Sequence, residues 1–169
     1  ADLDLAGYAI GGLAGGETTQ EMYDTIAAVE PYMPANKPRY LMGVGNPTTL
    51  VRGVGVGIDM FDCVLATRIA RNGTCFTDQG RLVIRNAQYA HDFGPIEEGC
   101  GCPTCRRYSR AYVRHLLKAK EMLGLRLLVL HNLYFYNTMM EEIREAIETG
   151  TFSEYKKNKL ARMEAGLDE

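Results

Sequence analysis

Short apolar runs alternate with amphipathic stretches over the first 66 residues of the chain. Residues 7–12, 39–44 and 59–66 are apolar runs of strand length. Between them, residues 18–29 carry apolar side chains at helical spacing, and Asn46-Pro47 is a typical helix start, an N-cap followed by proline. The order strand, helix, strand, helix, strand predicts parallel βα units.

The pattern changes after residue 73. Residues 75–77 and 81–85 flank the turn Asp78-Gln79-Gly80 and predict a β-hairpin. Two long helices are predicted over residues 104–122 and 126–148, stopped by Gly124 and Gly150, before a tail that is a charged helix or a frayed end. We therefore expect three parts, with βα units in residues 1–73, a hairpin and metal-binding subdomain in 74–131, and helices in 132–169.

The composition excludes few classes of protein. The chain has 169 residues, 46% hydrophobic residues and a net charge of −2, which are ordinary globular values with no global signal for nucleic acid. No run of 18 apolar residues predicts a membrane span. The first twelve residues carry two acids and no basic residue, unlike a signal or transit peptide, so we expect a cytoplasmic protein. Because the chain opens almost directly on an apolar strand, we also expect a piece of a larger protein.

Three of the five cysteines are clustered in the stretch "CGCPTC". Cys100, Cys102 and Cys105 have the spacing C-x-C-x-x-C, and thiolates this close along a loop can converge on one tetrahedral ion. His131 is the favoured fourth ligand, because an antiparallel helix pair would bring it back towards the cluster. Three thiolates and one imidazole are typical of structural Zn²⁺. The alternatives are a redox pair at Cys102 and Cys105, a core histidine at position 131, and the other candidate imidazoles, His91 and His115.

One carboxylate interrupts the apolar run "MFDCVL". Asp62 is predicted to lie in a strand buried on both faces, towards its carboxyl end, where parallel α/β folds place their sites. Gly11-Gly12 and Gly43–Gly45 end the other two strands and allow a ligand to approach closely. Asp62 could be a general base, a nucleophile or a metal ligand. The residues alone support equally a second interpretation, in which the Asp62 carboxylate only caps a neighbouring loop.

Basic residues and two further cysteines surround this strand. Arg68 and Arg71 follow it and could hold phosphates, whereas a solvated loop is the simpler interpretation. Cys75 is interpreted as a small packed residue. Cys63 is either a packed residue or a catalytic thiol, and packing is favoured.

Several of these stretches together resemble one family, the tRNA-guanine transglycosylases (queuine tRNA-ribosyltransferases). They occur in order from about Gly7 to Gly150, and the cysteine cluster, the following histidine and "DMFDC" are individually specific. The matching stretches are "GYAIGGLAGGE", "KPRYLMGVG", "GIDMFDCVLATR", "ARNG", "IRNA", "FGPI", "CGCPTCRRYSRAYVRHL" and "HNLYFY".

The resemblance implies a fold and a reaction. The fold is the C-terminal portion of a (β/α)₈ TIM barrel, about strands 6 to 8, with an inserted zinc-binding subdomain. The reaction exchanges guanine 34 of tRNAs with GUN anticodons for queuine or 7-aminomethyl-7-deazaguanine, in queuosine biosynthesis, through a covalent bond between Asp62 and ribose. The family's aspartate general acid/base would lie in the missing N-terminal half of the barrel, so this chain alone is expected to be inactive.

The resemblance also implies roles for individual residues. Asp62 matches the nucleophile, and a structural Zn²⁺ would be held by Cys100, Cys102, Cys105 and His131. Bacterial members form homodimers through the zinc region, where Tyr108, Tyr112 and His115 could pack across the interface. The base-binding residues would be Gly12, Leu13, Ala14 and Met42, with Glu17 closing that loop. The tRNA-binding residues would be Gly43, Val44, Gly45, Asn46, Pro47, Thr48, Thr49, Thr67, Arg68, Ile69, Ala70 and Arg71.

Two positions depart from the bacterial pattern. Gly15 stands where a valine is common and Ala66 where a proline is common, and eukaryotic catalytic subunits look similar here. The smaller residue at position 15 leads to the hypothesis that queuine is accepted. Two readings compete with the enzyme: a non-catalytic tRNA-binding or structural subunit or fragment, and a zinc-stabilised scaffold with no role in RNA binding.

Overall fold

A computed structural model describes residues 3–165 of the chain. The described residues form two compact units, and the boundary falls between Val64 and Leu65. This division differs from the expected boundary at residue 73, because the helix after residue 64 packs with the second unit. The expected boundary at residue 131 falls inside one continuous helix.

The first unit alternates three parallel strands with two helices, as predicted. Strands β1 (Tyr8–Ile10), β2 (Arg39–Leu41) and β3 (Met60–Phe61) pair in that order, and both pairings are parallel. Helix α1 (Thr19–Val29), followed by a 3₁₀ turn, joins β1 to β2, and α2 (Pro47–Val54) joins β2 to β3. The buried core between them consists of Ile10, Met22, Ile26, Met33, Leu41, Val44 and Ile58.

Local sequence signals begin both helices. Thr18 and Glu21 form a reciprocal capping box at the start of α1. The Asn46 side chain accepts a hydrogen bond from the backbone N–H of Thr48, and Pro47 occupies the first helical position of α2. The helix start predicted at Asn46-Pro47 is therefore confirmed.

The third strand is much shorter than predicted. It ends at Phe61, the residues after it leave the ladder, and a helix begins at Leu65. The prediction of a strand buried on both faces is wrong here, since Met60 is 52% exposed and Asp62 is also exposed. The physical reason is that β3 pairs only with β2 among the described residues, so it is an edge strand.

The second unit contains one hairpin, five α-helices and one 3₁₀ helix among its described residues. Helix α3 (Leu65–Arg71) leads into the antiparallel strands β4 (Thr74–Thr77) and β5 (Gly80–Val83), which confirms the predicted hairpin. A 3₁₀ helix over Ala87–His91 follows. The remaining helices are α4 (Pro103–Arg107), α5 (Arg110–Lys118), α6 (Met122–Glu148) and α7 (Phe152–Ala165).

The predicted helix over residues 104–122 is wrong in two respects. Tyr108 is extended, and the Ser109 side chain accepts a hydrogen bond from the Tyr112 backbone N–H, so a new helix starts there. Gly124 does not stop a helix but lies in the first turn of α6. A Cβ at this position would lie 2.9 Å from the Cβ of Leu116, so glycine allows α5 and α6 to pack closely. In the part of the chain that the structure describes, no helix is long and apolar enough to cross a membrane.

Candidate functional site

Asp62 follows the end of β3, and its carboxylate is held in place by two hydrogen bonds. The Tyr40 hydroxyl donates to Oδ1 at 2.7 Å, and the backbone N–H of Gly43 donates to the same oxygen at 2.8 Å. The Tyr40 bond first, and then the Gly43 bond, hold the pKa of Asp62 below its usual value of 3.8. The side chain is therefore an exposed, ionised carboxylate with Oδ1 anchored by two hydrogen bonds.

The strand register explains why Tyr40 reaches Asp62. Tyr40 pairs with Met60 in the parallel ladder, and Asp62 lies two residues beyond Met60. Side chains two residues apart point to the same face of a strand. The residues alone did not reveal Tyr40 as a partner, because the register between β2 and β3 is set by tertiary pairing.

The predicted base-binding residues lie in the loops after β1 and β2, and these two loops touch. A Cβ at Gly43 would lie 3.3 Å from the Cβ of Ala14, and one at Gly11 would lie 3.3 Å from the Met42 sulfur. Gly12 has a φ of +83°, a conformation that favours glycine. Leu13 is half-buried, whereas Gly12, Ala14 and Met42 are exposed. The structure thus brings all four residues to the strand ends that also carry Asp62.

Glu17 organises the first of these loops. Its Oε2 accepts hydrogen bonds from the backbone N–H groups of Gly15 and Gly16, both at 3.1 Å. The backbone N–H of Glu17 itself, and then those of the two glycines, hold the pKa of its carboxyl below 4.5. This carboxylate fixes the loop by accepting from backbone groups that would otherwise be left to water.

Residues 43–49, predicted to contact tRNA, form the turn into α2. Gly43 is exposed, and Asn46 and Thr49 are half-buried. The other four members of the segment, Val44, Gly45, Pro47 and Thr48, are buried. A macromolecule at this surface would therefore meet only Gly43, Asn46 and Thr49.

Residues 67–71, the second predicted tRNA segment, lie on α3 of the second unit and not on a loop. Arg68 and Arg71 are exposed, and Thr67 and Ile69 are half-buried. Ala70 is fully buried in the core of that unit, so its side chain is not available to a ligand. The two guanidinium groups are the members of the segment that can reach a phosphate.

Four side chains of the second unit converge as the cysteine spacing predicted. Cys100, Cys102, Cys105 and His131 place one ligand atom each within 4.8 Å of one another. The three sulfurs lie 3.9, 3.6 and 3.4 Å from His131 Nδ1, respectively. A tetrahedral zinc ion with Zn–S of about 2.3 Å and Zn–N of about 2.0 Å would set sulfur and nitrogen about 3.6 Å apart. The donor set and its spacing therefore fit structural zinc.

The surroundings of His131 fix which nitrogen faces the cluster. Its Nε2 donates to the carbonyl oxygen of Phe76 at 2.8 Å, so Nδ1 is the nitrogen that faces the three sulfurs and can bind a metal ion. A hydrogen bond from the Cys105 thiol lowers the pKa of the Cys102 thiol, and a thiolate is the form that binds metal. His131 is fully buried, and its second ring nitrogen is hydrogen-bonded to β4. Such an arrangement is typical of histidines that bind a metal ion.

The remaining candidate residues lie apart from this cluster of four ligands. Among the described residues that could hold a metal ion, neither His91 nor His115 belongs to the cluster. Cys75 is fully buried, and burial raises the pKa of its thiol, which confirms a packed residue. Cys63 is half-buried and unpaired by any disulfide.

Comparisons with known proteins show the family of the chain. A family model described as queuine tRNA-ribosyltransferase matches residues 1–165. The chain therefore belongs to the queuine tRNA-ribosyltransferase family, which confirms the resemblance seen in the sequence.

Similar proteins named queuine tRNA-ribosyltransferase come from several bacteria. The one from Lachnoclostridium phytofermentans is 60% identical over 160 residues, covering 95% of this chain and 42% of the relative. The one from Clostridium acetobutylicum is 59% identical over 160 residues, covering 95% and 43%. The one from Symbiobacterium thermophilum is 57% identical over 164 residues, covering 97% and 41%. The chain thus spans about two-fifths of the length of the curated relatives it matches.

Proposed function

We propose that this chain supplies the nucleophile, the base-binding loops and the metal centre of a tRNA-guanine transglycosylase. The enzyme would exchange guanine 34 of tRNAs with GUN anticodons for a 7-deazaguanine base. The observation that carries the proposal is Asp62, an exposed carboxylate with one oxygen anchored by Tyr40 and Gly43 where three parallel strands end.

The chemistry consists of two displacements at the anomeric carbon of ribose 34. Oδ2 of Asp62 attacks this carbon, the glycosidic bond to guanine breaks, and guanine leaves with the bonding electron pair and takes up a proton at N9. The incoming base gives up its N9 proton, attacks the same carbon and releases Asp62 as the carboxylate. Both protons would be transferred by the general acid/base expected in the part of the relatives that this chain does not match. Splitting the exchange into two steps suits a carboxylate nucleophile, and the two hydrogen bonds on Oδ1 lower the pKa of Asp62 further below neutral pH.

The neighbouring loops would bind the bases. Gly12, Leu13 and Ala14 offer backbone groups next to Met42, whose exposed thioether can cover one face of a planar base. The glycine at position 12 lets the backbone approach a ligand closely, and Glu17 holds the loop in that shape.

The tRNA would be bound by two surfaces. Arg68 and Arg71 present exposed guanidinium groups that suit phosphate oxygens, and Gly43, Asn46 and Thr49 are the accessible members of residues 43–49, which lead into the first turn of α2. The resemblance assigns residues 67–71 to recognition of the wobble position, and phosphate contacts from the two arginines would position the tRNA there.

Cys100, Cys102, Cys105 and His131 would hold a structural zinc ion. When bound, the ion cross-links the cysteine loop to α6 and supplies no step of the base exchange. The same unit would form a homodimer interface through Tyr108 and Tyr112, whose rings stack with centroids 5.5 Å apart, together with the exposed His115.

We infer further that β1, β2 and β3 are about strands 6 to 8 of a (β/α)₈ barrel. The other strands, and an aspartate general acid/base, would lie in the part of the relatives that this chain does not match. This chain alone would then be inactive, and the complete enzyme would act in the cytoplasm on tRNA and a free base.

A denaturing gel tests the proposal with the full-length protein and tRNA. The expected result is a band of tRNA-linked protein that disappears in Asp62→Asn. Asp59→Asn is the matched control, because Asp59 lies three residues away and accepts a hydrogen bond from the Arg39 backbone N–H, which asparagine can also do. A band that persists in Asp62→Asn would remove Asp62 from the nucleophile role, whereas the absence of any band with the wild-type protein would favour a non-catalytic tRNA-binding subunit.

The preferred base is a separate question. A Cβ at Gly15 would meet no heavy atom within 4 Å, so the loop leaves open space where bacterial members commonly carry valine. We propose that the enzyme accepts queuine with its bulky substituent as well as 7-aminomethyl-7-deazaguanine. Displacement of radiolabelled guanine by each base decides between them, and displacement by the aminomethyl base alone would refute queuine as a substrate.

A further inference from the structure

Asn132 is a fully buried polar residue of α6 that the proposed chemistry does not use. Its side-chain oxygen accepts a hydrogen bond from the backbone N–H of Phe76 at 3.1 Å. Its side-chain nitrogen donates to the carbonyl oxygens of Ala66 at 2.9 Å and Thr74 at 3.3 Å. One side chain of α6 thus binds both α3 and β4, at positions 56 to 66 residues earlier in the sequence.

Phe76 is held by two consecutive residues of α6. Asn132 accepts from its N–H, and the neighbouring ligand His131 donates to its carbonyl oxygen at 2.8 Å. The residue that orients the metal-binding imidazole is therefore itself fixed by Asn132. Hydrogen-bond partners one step removed from a metal commonly control the orientation of its ligands.

The other end of the network is α3. This helix has seven residues, too few to be stable without tertiary contacts. Ala70 packs one side of it into the core, and the Asn132 bond to Ala66 fixes its first turn. The opposite side of α3 carries the exposed Arg68 and Arg71.

We propose that Asn132 is a positioning residue that couples the metal centre to α3. Metal binding fixes His131, His131 and Asn132 together fix Phe76, and Asn132 orders the helix that carries Arg68 and Arg71. Coupling of this kind is reciprocal, so order in α3 also favours metal binding. The inference rests on the proposed function for the metal ion at the cluster and for the role of the two arginines in tRNA binding.

Hydrogen exchange measured by mass spectrometry on the zinc-loaded full-length protein tests the coupling. After removal of zinc with a chelator, residues 65–71 should exchange faster on the order of tenfold, because a buried hydrogen-bond network is released. The peptide over α7, which contains no ligand, should change less. Unchanged exchange in α3, or an equal increase in α7, would overturn the proposal.

Substitution isolates the role of Asn132. Asn132→Asp keeps the acceptor for Phe76 but sets a carboxylate against two carbonyl oxygens. We expect fast exchange in α3 even with metal bound, with little further change when the metal is removed. The absorption spectrum of the cobalt-loaded variant reports whether the ligand set is intact.

Two control variants separate coupling from a general loss of stability. Asn137→Asp makes the same change at an exposed position of α6 and should leave α3 unchanged. Ile143→Val trims a buried residue of α6 outside the network and should affect α3 and α7 alike. Wild-type exchange of α3 in Asn132→Asp, or behaviour matching Ile143→Val, would refute the proposal.

Two further outcomes are also decisive. If Asn132→Asp does not fold, the zinc-dependent comparison of α3 with α7 in the wild-type protein decides by itself. Affinity for tRNA is measured separately. If α3 loosens but tRNA affinity stays the same, the coupling holds and the proposed role of the arginines fails.

Discussion

Lys159 of α7 is almost fully buried in a network of charges and aromatic rings. Its Nζ lies 2.5 Å from Asp78 Oδ1 and 3.0 Å from Glu142 Oε2. The ring centroids of Phe135 and Tyr155 lie 5.5 and 5.8 Å away. Because Asp78 lies in the turn of the β4–β5 hairpin, this lysine fastens α7 both to the hairpin that supports His131 and to α6.

The structure sets the expected cost of Lys159→Met. Breaking a fully buried ion pair costs about 3–5 kcal/mol, whereas an exposed pair contributes about 0–1 kcal/mol. The side chains of Asp78 and Glu142 are 33% and 40% exposed, so water can take over part of their solvation, and Arg162 remains 3.1 Å from Asp78. Methionine fills most of the volume. We therefore expect a loss of about 2 kcal/mol in the free energy of unfolding.

Urea unfolding of the zinc-loaded protein, followed by circular dichroism, measures this loss. With an m-value of about 2 kcal/mol/M, the midpoint should fall by about 1 M. Lys157→Met, at an exposed position of the same helix, is the matched control and should stay within about 0.5 kcal/mol of the wild type. A Lys159→Met midpoint equal to that of the control would refute the reasoning.

Three further predictions concern the two sites and the packing between helices. Tyr40→Phe should raise the pKa of Asp62 towards 3.8, because the largest cause of its lowering is removed, and the acid limb of the pH profile of base exchange should move to higher pH. NMR titration of the carboxyl measures the pKa, and an acid limb that does not move would contradict the role of Tyr40. Gly124→Ala should lower the free energy of unfolding in urea by about 1–2 kcal/mol despite the better helix propensity of alanine, because its Cβ meets Leu116. Gly101→Ala is the control and should lower it less, because the new Cβ meets the hydroxyl end of the Tyr134 side chain, which can move. Zinc should be released as the pH falls and its ligands take up protons, which a dye assay detects; full retention at about pH 4 would argue against this ligand set.

Local signals predicted much of the first unit. The start of α2 at Asn46 and Pro47 is determined by neighbouring residues only. The alternation of strands and helices likewise follows from the local pattern of apolar and polar residues. The cluster that could hold a metal ion was also predictable, because three of its members are cysteines within six residues and only the histidine is brought in from a distant part of the sequence.

Features that depend on contacts distant in sequence were missed. The sequence predicts a helix stop at Gly124, because the close packing of this residue against Leu116 is a tertiary contact. Tyr40 is predicted only as a strand residue, because its hydrogen bond to Asp62 depends on the register between strands. Asp62 was predicted to be buried because its neighbours are apolar, but the edge position of β3 leaves it exposed. Asn132 gave no signal, since its three partners lie 56 to 66 residues away.

Peptide mapping of the covalent complex tests the central claim most directly. The full-length protein is mixed with a tRNA anticodon stem-loop and quenched in denaturant, and the protease- and nuclease-treated adduct is located by mass spectrometry. We predict that the ribose is linked to Asp62 and that no adduct forms in Asp62→Asn. A ribose found on another residue, or guanine exchange that continues at the wild-type rate in Asp62→Asn, would contradict the account.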